Sequence, residues 1–513
     1  MNKASRIFRI SLLLAVFFGI DKGLGIIRQL LIAREFGLSQ ELDVFNAANN
    51  LPDLLFALIS GGALTIALIP VLSEVLSKKG KPAAWRLFSN ITNLAFVLTG
   101  AISILVAILA EPLVSGQLGI APGFTPEQQS LTVSLMRLNL IATLIFSISG
   151  LVMAGLQANQ HFLLPALAPI FYDLGQIFGA VILAPAQGYH IGGLQLPAFG
   201  MGVRGLVFGV IIGASLHLLI QIPGLIKYHF KWHPEINIKD AEVKKVLSLM
   251  GPRLLSVLAF QLIFLAQDNL ASRLQIGSVT ALTYGWLIMQ VPETLIGTAI
   301  ATALLPTLSE FAVKEQWDAF KSSISNAFRV LMGLTLPITA ILAMGLLPLI
   351  QTAFDYNLDE ARIVLWVTQA FLLGLTGHSL VELGVRSFYA RQNARIPMFG
   401  SLLSLLLFIG LAVILMRLWG ATGIATANSL AYTAQALFLL WNLRTFIIDK
   451  SENVKTLGKS LLASILAGGL VWSIINLFKL PFSSFVVVVL AMGAGILLAA
   501  FILCKELRQV LRL

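Results

Sequence analysis

Apolar runs of about 20 to 30 residues, broken by short stretches of charge, glycine and proline, repeat along nearly the whole chain. A helix needs about 20 apolar residues to cross roughly 30 Å of hydrocarbon, so the pattern predicts an all-α integral membrane protein. The runs fall near 6–34, 43–76, 86–110, 130–157, 165–185, 203–226, 243–274, 280–312, 319–350, 360–390, 395–418, 420–446, 457–477 and 482–503, about fourteen transmembrane helices in all. Outer-membrane barrels are excluded, because they require alternating segments of about 10 residues rather than continuous apolar runs. The first run follows Lys3, Arg6 and Arg9 and continues past Asp21 without a small-residue cleavage site, so it is expected to remain in the mature chain.

Composition agrees: 57% of the 513 residues are hydrophobic and 12% charged, against about 25% charged in soluble domains. The formal charge of +11 would suggest nucleic acid in a soluble protein, but here most of the 35 lysines and arginines sit at the chain ends and after even-numbered spans. Examples are Lys78, Lys79, Lys81 and Arg86 after span 2, and Lys227, Lys231, Lys239, Lys244 and Lys245 after span 6. The odd-numbered loops are nearly free of positive charge. Both termini and the even loops are therefore expected in the cytoplasm, with the chain in the bacterial inner membrane. The single cysteine, Cys504, forbids an internal disulfide and leaves no thiolate cluster. His229 and His233 have a metal-like spacing but lie in a lysine-rich loop without a nearby acidic ligand, and read as solvated. With no P-loop lysine, HExxH or nucleophile-elbow serine, the sequence reads as neither an ATPase nor a hydrolase, and no cofactor, metal or nucleic-acid partner is expected.

The segment Ile66–Gly80, IALIPVLSEVLSKKG, recurs as TALLPTLSEFAVKEQ over Thr302–Gln316. Each closes an even-numbered span. Pro52 lies nine residues after Asp43, and Pro292 nine after Thr283, while the two prolines of each span are 18 and 14 residues apart, a difference of about one turn. Repeats of one orientation after an even number of spans imply two pseudo-symmetric six-helix lobes related by an axis along the membrane normal. The expected division is 1–230 for spans 1–6, 231–448 for spans 7–12, and 449–513 for two appended C-terminal helices.

Eight blocks in order now carry a family resemblance: GLGIIRQLLIAREFG (23–37), LDVFNAANNLPDLL (42–55), PVLSE (70–74), GLQANQHFLLPALAPIFYDLG (155–175), LMGPRLL (249–255), QDNLAS (267–272), ALLPTLSEF (303–311) and FYARQNARIP (388–397). The chain resembles the MurJ (MviN) family, lipid II flippases of bacterial cell-wall synthesis within the MATE-like multidrug/oligosaccharidyl-lipid/polysaccharide exporter superfamily. The resemblance implies alternating access and a cargo of undecaprenyl-pyrophosphate-linked disaccharide–pentapeptide carried from the cytoplasmic to the outer leaflet. It also implies a cationic cavity between lobes for the headgroup and a groove in the last two helices for the lipid tail. Membrane lipid and cell-wall synthesis proteins are the expected partners of a monomeric transporter.

Ionisable groups inside apolar spans are costly unless they face a cavity or a partner, which makes them functional candidates. Asp21, Lys22 and Arg28 lie mid-span on the first helix. Lys22 and Arg28 are six residues apart, about 240° around a straight helix, so sharing one face would need a bend near Gly19, Gly23 or Gly25. The family resemblance places both cations against the pyrophosphate, where a guanidinium fork suits phosphate oxygens. The alternative is an internal Asp21–Lys22 or Asp43–Arg28 ion pair. On span 2, Asp43, Asn46, Asn49, Asn50 and Asp53 form a polar ladder, with Pro52 freeing a carbonyl at the same level. That ladder lines water or sugar, or else makes interhelical hydrogen bonds. The resemblance also implies an arginine at 56, a glutamate at 61 and an arginine at 287, where this chain has Phe56, Gly61 and Leu287. Two cavity cations are absent and Glu293 adds an acid, so either Arg253 or Arg273 compensates or the cargo differs.

Asp268, in QDNLAS, stands where the resemblance points to a sodium-ligating carboxylate. The partner positions on spans 11 and 12 read here as Phe408, Ala412, Ile424 and Asn428, of which only Asn428 offers a side-chain oxygen. Asp268 is therefore expected to couple through a proton or membrane potential, or to pair with a cation such as Arg253, or simply to hydrogen-bond its neighbours. Three functional readings compete with lipid II: a flippase for another polyprenyl-linked glycan, a diverged MATE-like exporter, and a non-transporting scaffold.

Overall fold

A computed structural model of the protein describes residues 3–58, 63–446, 450–477 and 485–504. Its helices are α1 (Lys3–Phe36), α2 (Gln40–Phe56), α3 (Ala63–Ile108), α4 (Ala110–Ser115), α5 (Pro126–Ala158), α6 (Leu163–Phe178), α7 (Val203–Leu219), α8 (Ile222–Lys227) and α9 (Ala241–Ala271). They continue with α10 (Ser278–Pro292), α11 (Ala299–Val313), α12 (Trp317–Phe354), α13 (Leu358–Leu373), α14 (Leu375–Ala390), α15 (Arg395–Asn442), α16 (Lys450–Leu477) and α17 (Phe485–Ile502). A two-residue antiparallel hairpin pairs His190–Ile191 with Leu194–Gln195 between α6 and α7. The protein is all-α and spans the membrane many times.

Among the described residues, ten helices are long and apolar enough to cross a membrane, or eleven if α13 and α14, bent by 41°, make one span. Two of the helices are too long for a single crossing: α3 has 46 residues and α15 has 48, each about twice the length a bilayer needs. Both break at a glycine of positive φ, Gly80 at +82° and Gly420 at +57°, a conformation a side chain resists. Dividing them there is compatible with fourteen spans.

The spans that carry Pro52 and Pro292 share a backbone feature. Proline lacks the N–H that a helix interior requires. After Pro52, α2 passes into a π turn at 57–58, and after Pro292, α10 passes into a π turn over Glu293–Thr298 before α11. Pi turns leave backbone carbonyls free to bond elsewhere.

The chain divides into two compact units, Met1–Gly277 and Ser278–Leu513. In the first, α3 packs on α5, and Leu68, Leu72, Phe88, Ile91, Leu151 and Leu156 form a buried core that Val243 and Val246 of α9 join. Against α7, α6 packs so closely that a Cβ on Gly175 would lie 2.3 Å from Gly213 Cα, the small-residue contact by which membrane helices gain van der Waals packing without a hydrophobic drive. In the second unit, α16 and α17 pack on α12 through Ile341, Ala463, Ala467, Val471 and Ala491.

Where the repeat places span 7 at the head of the second lobe, α9 sits in the first unit, because both its ends are tied there. At its N-terminal end Lys245 and Lys78 both bond Glu74, at 2.6 and 2.8 Å, while Lys79 bonds Glu242, and Arg86 bonds Glu235 at 2.6 Å. At its C-terminal end Asn269 donates to the carbonyls of Gln117 and Gly119, Ser272 accepts from Gly123 N, and Gly277 N donates to Asp43. Loops after spans 2 and 6 thus meet at one end, and loops after spans 1, 3 and 7 at the other, which matches strict alternation across a bilayer.

Hydrogen bonds from Arg86 and Lys79 hold the Glu235 and Glu242 carboxyls below the usual carboxylate range. These ties therefore contribute at every pH above about 4.3, the free glutamate value, and are lost as pH falls through the depressed values. The expected orientation puts them in the cytoplasm. In a Cys504→Ser background, Lys79→Cys should resist an impermeant thiol reagent in intact cells, and Leu118→Cys, at a position 94% exposed, should react. Labelling of Lys79→Cys from outside would reverse the topology.

Candidate functional site

α1 is helical without interruption from Lys3 to Phe36, and Lys22 and Arg28 point differently along it. The Lys22 side chain is 78% exposed and makes only a loose 3.9 Å contact with its neighbour Asp21. Arg28 turns onto α6, where Nη1 donates to Asp173 Oδ1 at 2.6 Å, with 18% and 7% of the two side chains exposed. Gly25, one turn before Arg28, lies beside the same carboxylate: a Cβ there would make ordinary contact with Oδ2 at 3.6 Å. Arg28 Nε is buried and has no partner, so the fork is only partly used. Asp21, Lys22 and Arg28 all act electrostatically on Asp173, and Arg28 on Asp53, which draws five charged groups into one neighbourhood.

Asp173 was not singled out by sequence, although it is a lone carboxylate in an apolar run, which is the criterion that marks Asp21. The ion pair is neither of the two considered for Arg28 and Lys22. It joins residues 145 positions apart, and nothing short of helix packing names the partner.

The α2 ladder divides by use. Asp43 is buried and accepts from Gly277 N at 2.7 Å, so it fixes the turn that ends α9. Asn49 accepts from Asn139 of α5 at 2.5 Å, and Asn50 donates to Asp268 of α9. Asn46 is half-buried, and Asp53 is exposed, with its backbone carbonyl accepting from Gln261 of α9 at 3.3 Å. Interhelical bonding therefore takes Asp43, Asn49 and Asn50, and the Asp53 carboxylate is left facing open space beside Arg28.

At Phe56, where the resemblance implies a cation, the ring packs on Phe146 at 5.0 Å, and Phe146 packs edge-on against Tyr172 and His217. His217 in turn contacts Ser149 at 2.5 Å. An aromatic stack thus occupies the space of a guanidinium. Leu287 is half-buried. Gly61 and the Arg253 side chain lie outside the described residues. Arg273 bonds the Gln117 carbonyl at 3.0 Å and Asn269 at 3.3 Å, a loop tether rather than a replacement cation at the level of Arg28.

Asp268 is buried with Asn50 as its partner. Asn428, the remaining side-chain oxygen of the sodium pattern, faces His378 Nε2 at 3.2 Å, and Phe408, Ala412 and Ile424 are fully buried apolar residues.

The model of the family described as lipid II flippase MurJ matches residues 32–493. A lipid II flippase MurJ of Burkholderia cenocepacia is 30% identical over 400 residues, covering 76% of this chain and 75% of the relative. A probable lipid II flippase MurJ of Bdellovibrio bacteriovorus is 26% identical over 487 residues, covering 92% and 90%. Among solved structures, a lipid II flippase MurJ in an inward closed conformation superposes with a TM-score of 0.80 at 22% identity, covering 98% of this chain and all of the other. An inward-facing MATE multidrug transporter superposes at 0.69 with 15% identity, covering 86% and 99%. The two structures establish the likeness of fold.

Arg28 and Asp173 should behave as a coupled pair. Removing one partner of a buried pair typically costs about 3–5 kcal/mol because the other charge is stranded. Arg28→Ala and Asp173→Ala should each lower the unfolding midpoint of the purified protein, and the double variant should lose less than their sum. Strict additivity in that cycle would show that the contact carries no coupling.

Proposed function

Since the chain belongs to the MurJ family of lipid II flippases, we propose that it moves lipid II, the undecaprenyl-pyrophosphate-linked peptidoglycan precursor, from the cytoplasmic to the outer leaflet by alternating access. The observation that carries this is the match through 462 of its residues, 32 to 493, to the flippase family. It is a multi-pass membrane protein and a transporter by family. Its proposed place is the bacterial inner membrane with both termini cytoplasmic, and its work makes and breaks no covalent bond. Spans 1–6 and 7–12 are proposed as the two duplicated lobes, with α16 and α17 as the surface for the lipid tail.

The headgroup is proposed to meet the first unit through Lys22 and Arg28, with Arg253 as a third cation. Lys22 is available to an anion as it stands. Arg28 has its charge balanced by Asp173 when no cargo is present, which avoids a lone guanidinium in a low-dielectric span, and its unused Nε offers a further donor. Asp53 and Asn46 are proposed to bond sugar hydroxyls, with Asp43 and Asn50 holding the ladder in position through Gly277 and Asp268. Coupling is assigned to Asp268: its partner is an amide rather than an oxygen cage, which supports drive by membrane potential or protons over sodium.

Phe56 and Leu287, apolar where the resemblance implies arginines, favour a second reading in which the cargo is another polyprenyl-linked glycan with a less anionic head. Expression in cells depleted of their own lipid II flippase separates the two: rescue of growth supports lipid II, and failure by a well-inserted protein supports the alternative. In reconstituted vesicles Arg28→Ala should abolish flipping, and Arg28→Lys should restore part of it, since an ammonium keeps the charge but not the fork. Flipping should run with a potential alone. Strict dependence on sodium that vanishes in Asp268→Asn would overturn the coupling assignment.

A further inference from the structure

The second unit holds a partly buried polar cluster that the headgroup site does not use. Glu293 opens the π turn that follows Pro292, and Glu382 and Arg386 lie one turn apart on α14. Arg386 is paired with Glu382, and the two side chains are 23% and 28% exposed. Glu293 lies close enough to both to feel their charges. Its carboxylate accepts from Thr298 Oγ1 at 3.2 and 3.3 Å, and Thr294 Oγ1 stands at 3.5 Å. Two carboxylates against one guanidinium leave one negative charge unmatched within a membrane span, and such a charge costs several kcal/mol unless something neutralises it.

A second observation points to what is missing. Ser379 Oγ is fully buried, with no hydrogen-bond partner. It is aimed at the same spot as Glu293: the position a Cβ would take on Gly297 is 2.7 Å from Ser379 Oγ and 2.9 Å from Glu293 Oε1. The glycine lets these oxygens converge from α14 and the π turn. Other titratable neighbours do not supply the charge. On α15, Tyr432 is in electrostatic reach of Glu293 and Glu382, and it stacks on His378 of α14 with 3.8 Å between ring centres. On α11 Glu310 pairs with Lys314, on α12 Lys321 pairs with Asp318 and Arg329 donates to Asn326, and the charges that act on Glu293 are those of Glu382 and Arg386.

We propose that Glu293, with Ser379, Thr298 and Glu382, binds one monovalent cation, a sodium ion or a proton, in the second unit. Either species balances the charge. Sodium would take the carboxylate and hydroxyl oxygens as ligands. A proton from solvent would form an O–H bond on Glu293 and so remove the unmatched charge. The site is independent of Asp268, and its occupancy is read without cargo, so it stands or falls separately from lipid II transport.

The test is thermal unfolding of the purified full-length protein in two arms: sodium chloride replacing choline chloride at constant ionic strength and pH, and lowered pH in choline alone. Wild type should gain stability in one arm, and the arm identifies the ion. Glu293→Gln, neutral and of the same shape, should lose that response while unfolding without the ion at a temperature no lower than wild type. Glu74→Gln, in the surface ties of α3, should keep the response. Should Glu293→Gln fail to fold, Glu382→Gln should show the same loss. An equal response in wild type and both glutamine variants, or none in wild type in either arm, would overturn the site.

Discussion

A charge inside hydrocarbon has no water to answer it, so the protein must supply the answer from another helix. In this chain that requirement sets the contacts of several polar residues within the spans. Arg28 takes Asp173, Asp268 takes Asn50, Asn49 takes Asn139, and Asp43 takes a backbone N–H at the far end of α9. Each of these joins helices distant in sequence, and each is satisfied with little to spare. Three groups without a full answer, the exposed Lys22, the Asp53 carboxylate and the spare Nε of Arg28, gather around one locality of the first unit.

Solvent-facing charges follow a different rule. The pairs around Glu74, Glu242 and Glu235 are exposed and individually weak, and salt screens them. Their value is geometric, because several of them fasten the break at Gly80 to the approach to α9. The opposite end of α9 is held by backbone carbonyls and glycine contacts instead. A helix anchored by side-chain ion pairs at one end and mostly by hydrogen bonds to backbone groups at the other can release one end without the other, and salt screens the ion-paired end.

The spans were legible because a bilayer imposes a length and an apolarity that few sequences meet by accident. Pro52 and Pro292 stood out in the sequence, and each is followed by a π turn, at 57–58 and over Glu293–Thr298. The family was legible from ordered blocks rather than from any one residue. Ion-pair partners were not legible. Asp173 satisfies the same criterion as Asp21, but its role as the answer to Arg28 depends on how α1 meets α6. Nor could the sequence say what replaces an arginine at Phe56, since the stack of Phe146, Tyr172 and His217 gathers residues from three other helices. The polar ladder of α2 looked uniform and is not, because the step from Asn49 to Asn50, about 100° of rotation, decides whether an amide meets α5 or α9.

The contact of α6 with α7 has a mechanical consequence. Gly175 meets Gly213 and Gly179 meets Gly209 backbone to backbone, and the Tyr172 ring closes over Gly213. At these two glycine crossings backbone meets backbone, with no side chain to change rotamer or absorb a small displacement. The pair is therefore a stiff beam, and Asp173 is fixed to it beside Tyr172. A pull on that carboxylate, as when an anion draws Arg28 away, is delivered to α7 without slack rather than dissipated in the packing.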